Sequence, residues 1–256
     1  MSTPLEVALS RTSDRGARDA LKGAAAARAL ELVRPGMLIG LGTGSTARYF
    51  VEGIGRLVAQ GVPLTGVPTS RATAERARQL GIRTTAELVQ PIDLAVDGAD
   101  EVDPCLDLIK GRGGALTREK LVATAARTFV VVVDESKLVE RLGRGTLPVE
   151  VVPFLWRTTA SRLRALGARC QLRQRGSQPY LTDNGNLILD VRFREPIVDP
   201  ADLAARLKAT VGVVEHGLFL GLACACIVAG EAGVRVIGSL GELETTTQGR
   251  SPMKAG

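Results

Sequence analysis

Short, continuously apolar segments alternate along the chain with stretches of helical periodicity, and this alternation is what most constrains the fold. Met37–Leu41, Ile92–Val96 and Thr128–Val133 are apolar runs of strand length, whereas Ala47–Gln60 and Thr117–Ala126 repeat with the period of a helix. Continuous apolar strands that alternate with helices indicate a parallel sheet covered on both faces. The ligand site of such a sheet lies at the carboxyl ends of its strands.

The pattern changes near Gly145. Strand-like runs there alternate with helical stretches at Phe154–Leu166 and Ala201–Thr210, and Asp183-Asn184-Gly185 is typical of a turn between two strands. The order strand, helix, strand, strand, helix, strand predicts a small α+β domain inserted into the larger α/β domain. We therefore predict a loose N-terminal extension over residues 1–16, a large domain of residues 17–144 plus 221–256, and a small domain of residues 145–220.

The turn Gly42-Thr43-Gly44-Ser45-Thr46 follows a predicted strand and precedes a predicted helix. It lacks the lysine of a Walker phosphate loop, and Ser45 stands where the dinucleotide fingerprint requires its third glycine. Its backbone N–H groups, its hydroxyls and the adjoining helix N-terminus favour a phosphate or carboxylate ligand. The alternative is a tight strand-to-helix turn in which Ser45 only caps the helix.

The segment Asp97-Gly98-Ala99-Asp100-Glu101-Val102-Asp103 places four carboxylates at the end of another predicted strand. Oxygen ligands of this kind suit Mg²⁺, so a metal site is one interpretation. A solvated polar loop is a second interpretation. The third is a group that moves protons on a polyol, with one of the aspartates buried.

The segment from Ile109 to Lys120 combines three glycines with Lys110, Arg112 and Glu119. Glycines let the backbone approach a ligand closely. Thr117 is the predicted N-cap of a helix, which places Glu119 in the first turn, where the helix dipole favours an ionised carboxylate that can act as a base. The alternative for Glu119 is the ordinary preference of acidic residues for helix starts.

Lysine is rare in this chain, because only six of its 33 basic side chains are lysines and the rest are arginines. A lysine at position 110, beside a glycine-rich turn, therefore indicates that a compact point charge is needed there. Lys137 follows the predicted strand Thr128–Val133 in the segment Asp134-Glu135-Ser136-Lys137. It lies either at the same crevice, as another carboxyl strand end, or in a solvated loop.

The composition excludes several classes of protein. The single histidine, His216, rules out a multi-histidine metal site, and we predict a structural or surface role for it. The net charge is +6, but the cations are scattered and only 3% of residues are aromatic, which argues against nucleic-acid binding. The four cysteines are spread out and are predicted to be reduced and mostly buried. No apolar stretch is long enough to predict a membrane span.

The motifs GLGTGSTA, DGADEVD, KGRGGALTREK and DESK, in this order, resemble the type A ribose-5-phosphate isomerase family. The resemblance extends from about Asp19 to Ile237 and includes LPVEVVPF and TDNGN. It implies a Rossmann-like parallel sheet flanked by helices, with an inserted ferredoxin-like domain. It also implies a cytoplasmic homodimer or homotetramer that needs no cofactor and no metal. The implied reaction interconverts D-ribose 5-phosphate and D-ribulose 5-phosphate through a cis-enediolate, in the non-oxidative branch of the pentose phosphate pathway.

The same resemblance implies which residues form the site. Glu119 resembles the catalytic base, Asp97 is the candidate for the ring hydroxyl proton, and Lys110 is the candidate for stabilising the oxyanion. Arg112 replaces the glycine of the commoner KGGGA form of this motif. The substrate-binding residues that the resemblance implies are Thr43, Gly44, Ser45, Thr46, Asp97, Gly98, Ala99, Asp100, Lys110, Gly111, Arg112, Gly113, Lys137 and, with a weaker match, Lys22.

Two other functions compete with this interpretation. One is a sugar-phosphate-binding sensor of the same fold that has no catalytic activity. Such regulators carry a DNA-binding helix-turn-helix, for which residues 1–16 are too short, and the chain retains Glu119. The other is a nucleotide-dependent dehydrogenase, which the missing third glycine and the missing ribose-binding acid disfavour.

Overall fold

A computed structural model describes residues 4–241 of the protein, with side chains from residue 16 onward except residue 18. The described residues form helices and strands along most of their length. In chain order these are α1 (Pro4–Leu30), β1 (Leu38–Leu41), α2 (Ala47–Ala59), β2 (Thr65–Pro68), α3 (Arg71–Gln79), β3 (Arg83–Thr84), β4 (Ile92–Asp97), β5 (Glu101–Val102), β6 (Leu108–Ile109), α4 (Leu116–Thr124), β7 (Ala126–Asp134), β8 (Leu147–Val151), α5 (Trp156–Arg164), β9 (Arg169–Leu172), β10 (Gln174–Arg175), β11 (Gln178–Pro179), β12 (Leu187–Arg192), α6 (Pro200–Ala209), β13 (Val213–His216), β14 (Leu218–Phe219), β15 (Ala225–Gly230) and β16 (Gly233–Gly238).

The largest sheet has seven strands in the spatial order β16-β15-β7-β4-β1-β2-β3. Six of these strands are parallel, and β16 pairs antiparallel with β15 at one edge. Its central strands are buried on both faces, so that Val130 and Val132 pack on one side while Val131 and Val133 pack on the other. This arrangement explains why β7 is an unbroken apolar run, as is typical of parallel sheets covered by helices.

Helix α1 packs against α2, β7 and β15 on one face of the large sheet. Its contact face includes Ala25, Ala26 and Ala29, all of which are almost fully buried. Alanine side chains are short, so they let the helix approach the sheet closely, and alanine is also the strongest helix former. On the opposite face, Val122 and Ala123 of α4 pack against β1, β4 and β7.

A second sheet of four antiparallel strands has the order β13-β8-β12-β9. Helix α5 connects β8 to β9 and α6 connects β12 to β13, which is the strand–helix–strand topology of a ferredoxin-like unit. The fold class predicted from the sequence, a Rossmann-like parallel sheet with a smaller α+β unit, is therefore confirmed. A third sheet, β14-β6-β5, joins the two, because β14 follows the small sheet and pairs with β6 of the larger part.

Two sequence predictions are wrong. Residues 1–16 were predicted to form a loose extension, but α1 begins at Pro4, while residues 1–3 lie outside the described residues. Proline is well tolerated in the first turn of a helix, and the serines, threonine, aspartate and glycine that follow cost only fractions of a kcal/mol each. The cysteines were predicted to be mostly buried, yet Cys226 is the one that is buried, while Cys105 and Cys224 are exposed and Cys170 is half-buried.

Within residues 4–241, no helix is both long enough and apolar enough to cross a membrane.

Gly40 provides a test of how closely the strands of the large sheet pack against α4. A Cβ atom at this position would lie 2.6 Å from Val122 Cγ1 and 2.7 Å from Ala95 Cβ. We expect Gly40→Ala to lower the free energy of unfolding by about 1–3 kcal/mol, because overpacked cores must shift to relieve such contacts. Urea denaturation measures this change.

Gly23→Ala is the matched control for this variant. Gly23 lies in α1, and its nearest neighbour would be 4.0 Å from the new Cβ atom. We expect it to raise the free energy of unfolding by about 0.5–1 kcal/mol, because alanine favours the helix. Equal stability of the two variants would contradict the packing account.

Candidate active site

The loops predicted to carry the site meet at one end of the large sheet. The Gly42–Thr46 turn follows β1, the Asp97–Asp100 loop follows β4, and the Lys110–Gly113 loop follows β6. These loops enclose a polar pocket of about 100 Å³. The pocket is lined by Thr43, Gly44, Ser45, Thr46, Gly98, Ala99, Asp100, Lys110, Gly111, Gly113, Glu119 and Lys137. The structure therefore brings together most of the residues that the sequence assigned to one site.

The Gly42–Thr46 turn passes directly over the end of β4. A Cβ atom at Gly42 would lie only 2.3 Å from Asp97 Oδ1, so this close approach requires glycine. Gly44 has a φ of +116°, which also favours glycine. Helix α2 follows, and neither Ser45 nor Thr46 caps it with a side chain, because Thr46 is the N-cap residue and makes no such hydrogen bond. The alternative role of Ser45 as a helix cap is therefore wrong.

A cluster of hydroxyl groups lies behind this turn. Thr43 Oγ1 is 2.7 Å from Thr69 Oγ1, 2.8 Å from Ser70 Oγ and 3.0 Å from Thr73 Oγ1. Ser70 Oγ also accepts a hydrogen bond from the Thr73 backbone N–H, so Ser70 is the N-cap of α3, as a serine just before a helix leads one to expect. Thr69 and Thr73 were not among the predicted neighbours of the site. The signal that could have found them is that Thr69 directly follows β2 and Thr73 lies in the first turn of α3, the helix that comes next, at the same edge of the sheet.

The four carboxylates of residues 97–103 point to separate partners. Asp97 turns inward, and Asp100 Oδ2 accepts a hydrogen bond from the Arg112 backbone N–H at 2.9 Å. Glu101 is buried and accepts backbone N–H bonds from the loop at residues 143–145. Asp103 Oδ1 accepts from the backbone N–H groups of residues 105 and 107. Among the described residues, no group of three or more histidine, cysteine, aspartate or glutamate side chains is arranged to hold a metal ion.

Lys110, Asp97 and Glu119 form a buried triad at the floor of the pocket. Lys110 Nζ lies 3.0 Å from Asp97 Oδ2 and 3.5 Å from Glu119 Oε2, and it donates a hydrogen bond to the Gly98 carbonyl oxygen. Asp97 Oδ1 accepts from the backbone N–H groups of Thr43 and Gly98. Asp97 Oδ2 and Glu119 Oε2 receive no well-directed hydrogen bond from the described part of the chain. The Lys110 ammonium is therefore the nearest charged partner of both oxygens.

Burial sets the charge states within the triad. It raises the pKa of Glu119 to about 8, because the attraction of Lys110 offsets only part of the desolvation and the nearby Asp97 and Asp100 add to the rise. Burial also raises the pKa of Asp97, against Lys110 and two backbone N–H donors. Burial alone would lower the pKa of Lys110, but Asp97 and Glu119 together raise it. Lys110 is therefore a cation shared between two carboxyl groups.

This result corrects one expectation from the sequence. Thr117 was predicted to cap α4, with the helix dipole keeping Glu119 ionised. The helix instead begins at Leu116 with Ala115 as its N-cap residue, and the Thr117 hydroxyl donates to Glu150. Glu119 does lie in the first turn, but the cost of burying its charge exceeds the fraction of a kcal/mol to about 2 kcal/mol that a helix dipole supplies.

Three of the predicted binding residues do not line the pocket. Asp97 lies behind Lys110. The Arg112 side chain turns away and donates to Glu101 Oε1 at 2.9 Å, so the substitution for the usual glycine serves the loop rather than the ligand. Lys22 pairs with Asp19, one turn earlier on α1, at 3.1 Å. Lys137, by contrast, does line the pocket, at the end of the short 3₁₀ helix that follows β7.

The small sheet contributes contacts to these loops that were not predicted from the sequence. Arg173 Nη1 donates to the Gly111 and Arg112 carbonyl oxygens at 3.0 and 2.9 Å, and its guanidinium also pairs with Asp190. The Tyr180 hydroxyl lies 3.4 Å from the Gly113 carbonyl oxygen. These partners are more than 60 residues apart along the chain, and no local pattern reveals such contacts.

His216 is buried and belongs to this support rather than to the pocket. Lys120 Nζ donates to its carbonyl oxygen at 2.7 Å and to Glu215 at 2.7 Å. Burial lowers the pKa of His216 to about 4, and the nearby Lys120 adds to this effect. The side chain is therefore neutral at physiological pH, in agreement with its predicted structural role.

The chain is similar to isomerases over most of its length. The family model described as ribose 5-phosphate isomerase A (phosphoriboisomerase A) matches residues 65–233. A protein of Chloroflexus aurantiacus named ribose-5-phosphate isomerase A is 55% identical over 219 residues, which cover 84% of this chain and 91% of that protein. A protein of the same name from Synechococcus is 51% identical over 224 residues, covering 86% of this chain and 97% of that protein.

Solved structures agree with this similarity. The ribose 5-phosphate isomerase of Plasmodium falciparum superposes with a TM-score of 0.83 at 39% identity, covering 87% of this chain and 99% of that one. A D-ribose-5-phosphate isomerase in complex with phospho-erythronic acid superposes with a TM-score of 0.82 at 42% identity, covering 86% and 98%. With this fold, this pocket and these relatives, the chain belongs to the ribose 5-phosphate isomerase A family.

Proposed function

We propose that the protein interconverts D-ribose 5-phosphate and D-ribulose 5-phosphate, with Glu119 as the base that moves a proton between C2 and C1. The observation that carries this proposal is the position of Glu119. Its carboxyl group lines the pocket, its Oε2 atom has no hydrogen bond from the described residues, and the Lys110 ammonium lies 3.5 Å away. The relatives named ribose-5-phosphate isomerase A support the reaction, and the alternative of a non-catalytic sensor has no support among them.

The triad can carry the proton transfers without histidine. Ring opening moves one proton from the anomeric hydroxyl to the ring oxygen. Asp97 is our candidate for its carrier, and it would act through Lys110, whose ammonium lines the pocket and lies 3.0 Å from Asp97 Oδ2. Glu119 then removes the C2 proton to form a cis-enediolate and returns that proton to C1. The Lys110 ammonium stabilises the negative charge that develops on the oxygens, an effect that is often the largest in catalysis.

The rim of the pocket suits the phosphate group. Thr43, Gly44, Ser45 and Thr46 present backbone N–H groups and hydroxyls, and Lys137 adds a positive charge to the same pocket. Binding energy at this remote group orients the reacting end of the sugar. The relative in complex with phospho-erythronic acid supports this proposal, because that molecule joins a phosphate to a carboxylate that resembles the enediolate.

We also propose that the site lies between two domains with the predicted boundaries at residues 144–145 and 220–221. Helix α4, which carries Glu119, contacts β4 and β7 of the large sheet as well as β8 and β13 of the small one. The pairing of β14 with β6 supports a shared seam rather than a flexible linker.

We also propose a cytoplasmic location for the protein. It fits the proposed reaction, because a charged sugar phosphate cannot cross a membrane unaided and stays where it is made.

Glu119→Gln tests the assignment of the base. We expect kcat to fall by about 10²–10⁴-fold, which is the usual contribution of a positioned general base. KM should change little, because the amide keeps the size of the carboxyl group. A ketopentose assay with ribose 5-phosphate measures both constants.

Glu75→Gln is the matched control, since Glu75 is an exposed residue of α3 that pairs with Arg78. It should retain normal activity. Circular dichroism verifies that both variants are folded. Near-normal turnover of folded Glu119→Gln would refute the assignment.

The raised pKa of Glu119 predicts the pH dependence of catalysis. Only the ionised carboxylate can accept the C2 proton, and a pKa of about 8 means that this form predominates above that pH in the free enzyme. We therefore expect kcat/KM to rise with pH up to about 8 and then to level off. The second ionisation of the substrate phosphate has a lower pKa, about 6, so its effect on the rate can be distinguished from the Glu119 transition. An acid limb at the ordinary carboxyl pKa would contradict the raised value.

We propose, finally, that the protein assembles as a homodimer or homotetramer. An exposed apolar surface at one end of the small sheet supports this, since Phe154 is 79% and Leu155 is 62% exposed. Val211 is also exposed and adjoins them through the Val152–Gly212 backbone hydrogen bond. Exposed apolar patches of this kind often mark interfaces.

Light scattering on the native protein and on Phe154→Asp tests the oligomeric proposal. We expect the native protein to be at least dimeric. The variant should already dissociate at protein concentrations at which the native protein stays assembled, because a charge would be buried in the contact. Leu121→Asp is the control, at an exposed apolar residue of α4 that lies outside this surface. A monomeric native protein would contradict the proposal.

A further inference from the structure

Glu150 is a buried carboxylate outside the pocket whose hydrogen bonds lead toward the base. It lies in β8, the strand between β12 and β13, and it is fully buried. Its oxygens accept hydrogen bonds from four uncharged donors, at distances of 2.5–3.1 Å. These donors are the side chains of Thr117, Thr182, Asn184 and Asn186. Buried carboxylates are costly, so a set of four aimed donors indicates a specific role.

One of these donors belongs to the helix that carries Glu119. Thr117 is the second residue of α4, two positions before Glu119, and its Oγ1 atom donates to Glu150 Oε2 at 2.5 Å. The first turn of α4 has no side-chain cap of its own, because Ala115 is its N-cap residue. The hydrogen bond to Glu150 therefore ties this turn to the small sheet.

The other three donors belong to the turn at residues 182–186. This turn also binds Arg118, the residue of α4 that follows Thr117. Asn184 Oδ1 accepts a hydrogen bond from Arg118 Nε at 2.8 Å, and the Asp183 carbonyl oxygen accepts from Arg118 Nη2 at 3.1 Å. Asp183 Oδ2 also accepts from the backbone N–H of Arg71 at 2.6 Å, at the start of α3. Glu150 thus fixes a turn that contacts the helix of the base and the helix behind the Gly42–Thr46 turn.

We infer that Glu150 is a positioning residue for Glu119, acting through Thr117 and the turn at residues 182–186. The inference rests on the proposed role of Glu119 as the base. Its effect is geometric, because all four donors are uncharged and the carboxylate holds the first turn of α4 in place. Small displacements of a catalytic group slow the chemical step more than they weaken binding, so kcat should respond and KM should not.

Thr117→Val is the direct test, because it removes one hydroxyl and keeps the shape of the side chain. We expect kcat for ribose 5-phosphate to fall by about tenfold with KM within about twofold of the native value, since misplacement by 1 Å can cost about 10²-fold. Thr117→Ser should restore the rate because it keeps the hydroxyl. Thr124→Val is the matched control, since the partners of the Thr124 hydroxyl within the described part of the chain are carbonyl oxygens of its own helix.

Substitutions of Glu150 distinguish a geometric role of this residue from a role of its charge. In Glu150→Gln, the amide oxygen can receive the three donors of the turn, while the amide nitrogen donates to the Thr117 hydroxyl, which then accepts. We expect Glu150→Gln to keep most of kcat and Glu150→Leu to lose it. Thermal melting verifies folding, and if Glu150→Leu does not fold, the Thr117 series decides the question.

The outcomes separate this inference from the proposed function. A native kcat in Thr117→Val, together with loss of activity in Glu119→Gln, would overturn the positioning role and leave the base in place. A loss in Glu150→Gln as large as in Glu150→Leu would also overturn it, because charge rather than geometry would then matter. Native activity in Glu119→Gln would refute the proposed base itself.

Discussion

The rest of the site depends on the burial of the Lys110 ammonium between two carboxyl groups. An isolated charge in this position would be prohibitively costly, so Asp97 and Glu119 must both stay within reach of it. Asp97 in turn requires two backbone N–H donors, which bring the Gly42–Thr46 turn across the end of β4 and demand glycine at position 42. The charge of one lysine thus determines where three loops and a helix meet.

The sequence predicts the large features of the fold, because they depend on local patterns. The apolar run at Thr128–Val133 is recognisable as a buried parallel strand, and Ser70 is recognisable as a helix cap. Most of the pocket could also be predicted, since its loops all follow such strands. The contacts of Arg173 and Glu150 could not be predicted, because each joins segments 30 or more residues apart that no periodicity connects.

The charge of Glu119 shows why placing a residue does not determine its chemistry. Its position in the first turn of a helix was predicted correctly, and the dipole there does favour an anion. Burial acts in the opposite direction and is stronger, because desolvation of a carboxylate is large and the helix effect is confined to one turn. Burial is a property of the whole fold, so it was not visible in the local motif KGRGGALTREK. The same burial makes a carboxylate a stronger base once it is ionised, and this suits the proposed role of Glu119 in removing a weakly acidic C–H proton.

The two sheets position different residues of the site. Asp97 and the Gly42–Thr46 turn come directly from strands of the large sheet, so their positions follow from the parallel strands themselves. Glu119 has no such anchor, because it stands in the short helix α4, whose start has no side-chain cap. A helix of nine residues is only marginally stable alone, so its orientation must come from what packs around it. The small sheet supplies that through Glu150, which accepts a hydrogen bond from Thr117, and through the Lys120–Glu215 ion pair one turn later on the same face of α4. The small sheet therefore supports the helix that carries the proposed base, even though none of the side chains described for residues 145–220 lines the pocket.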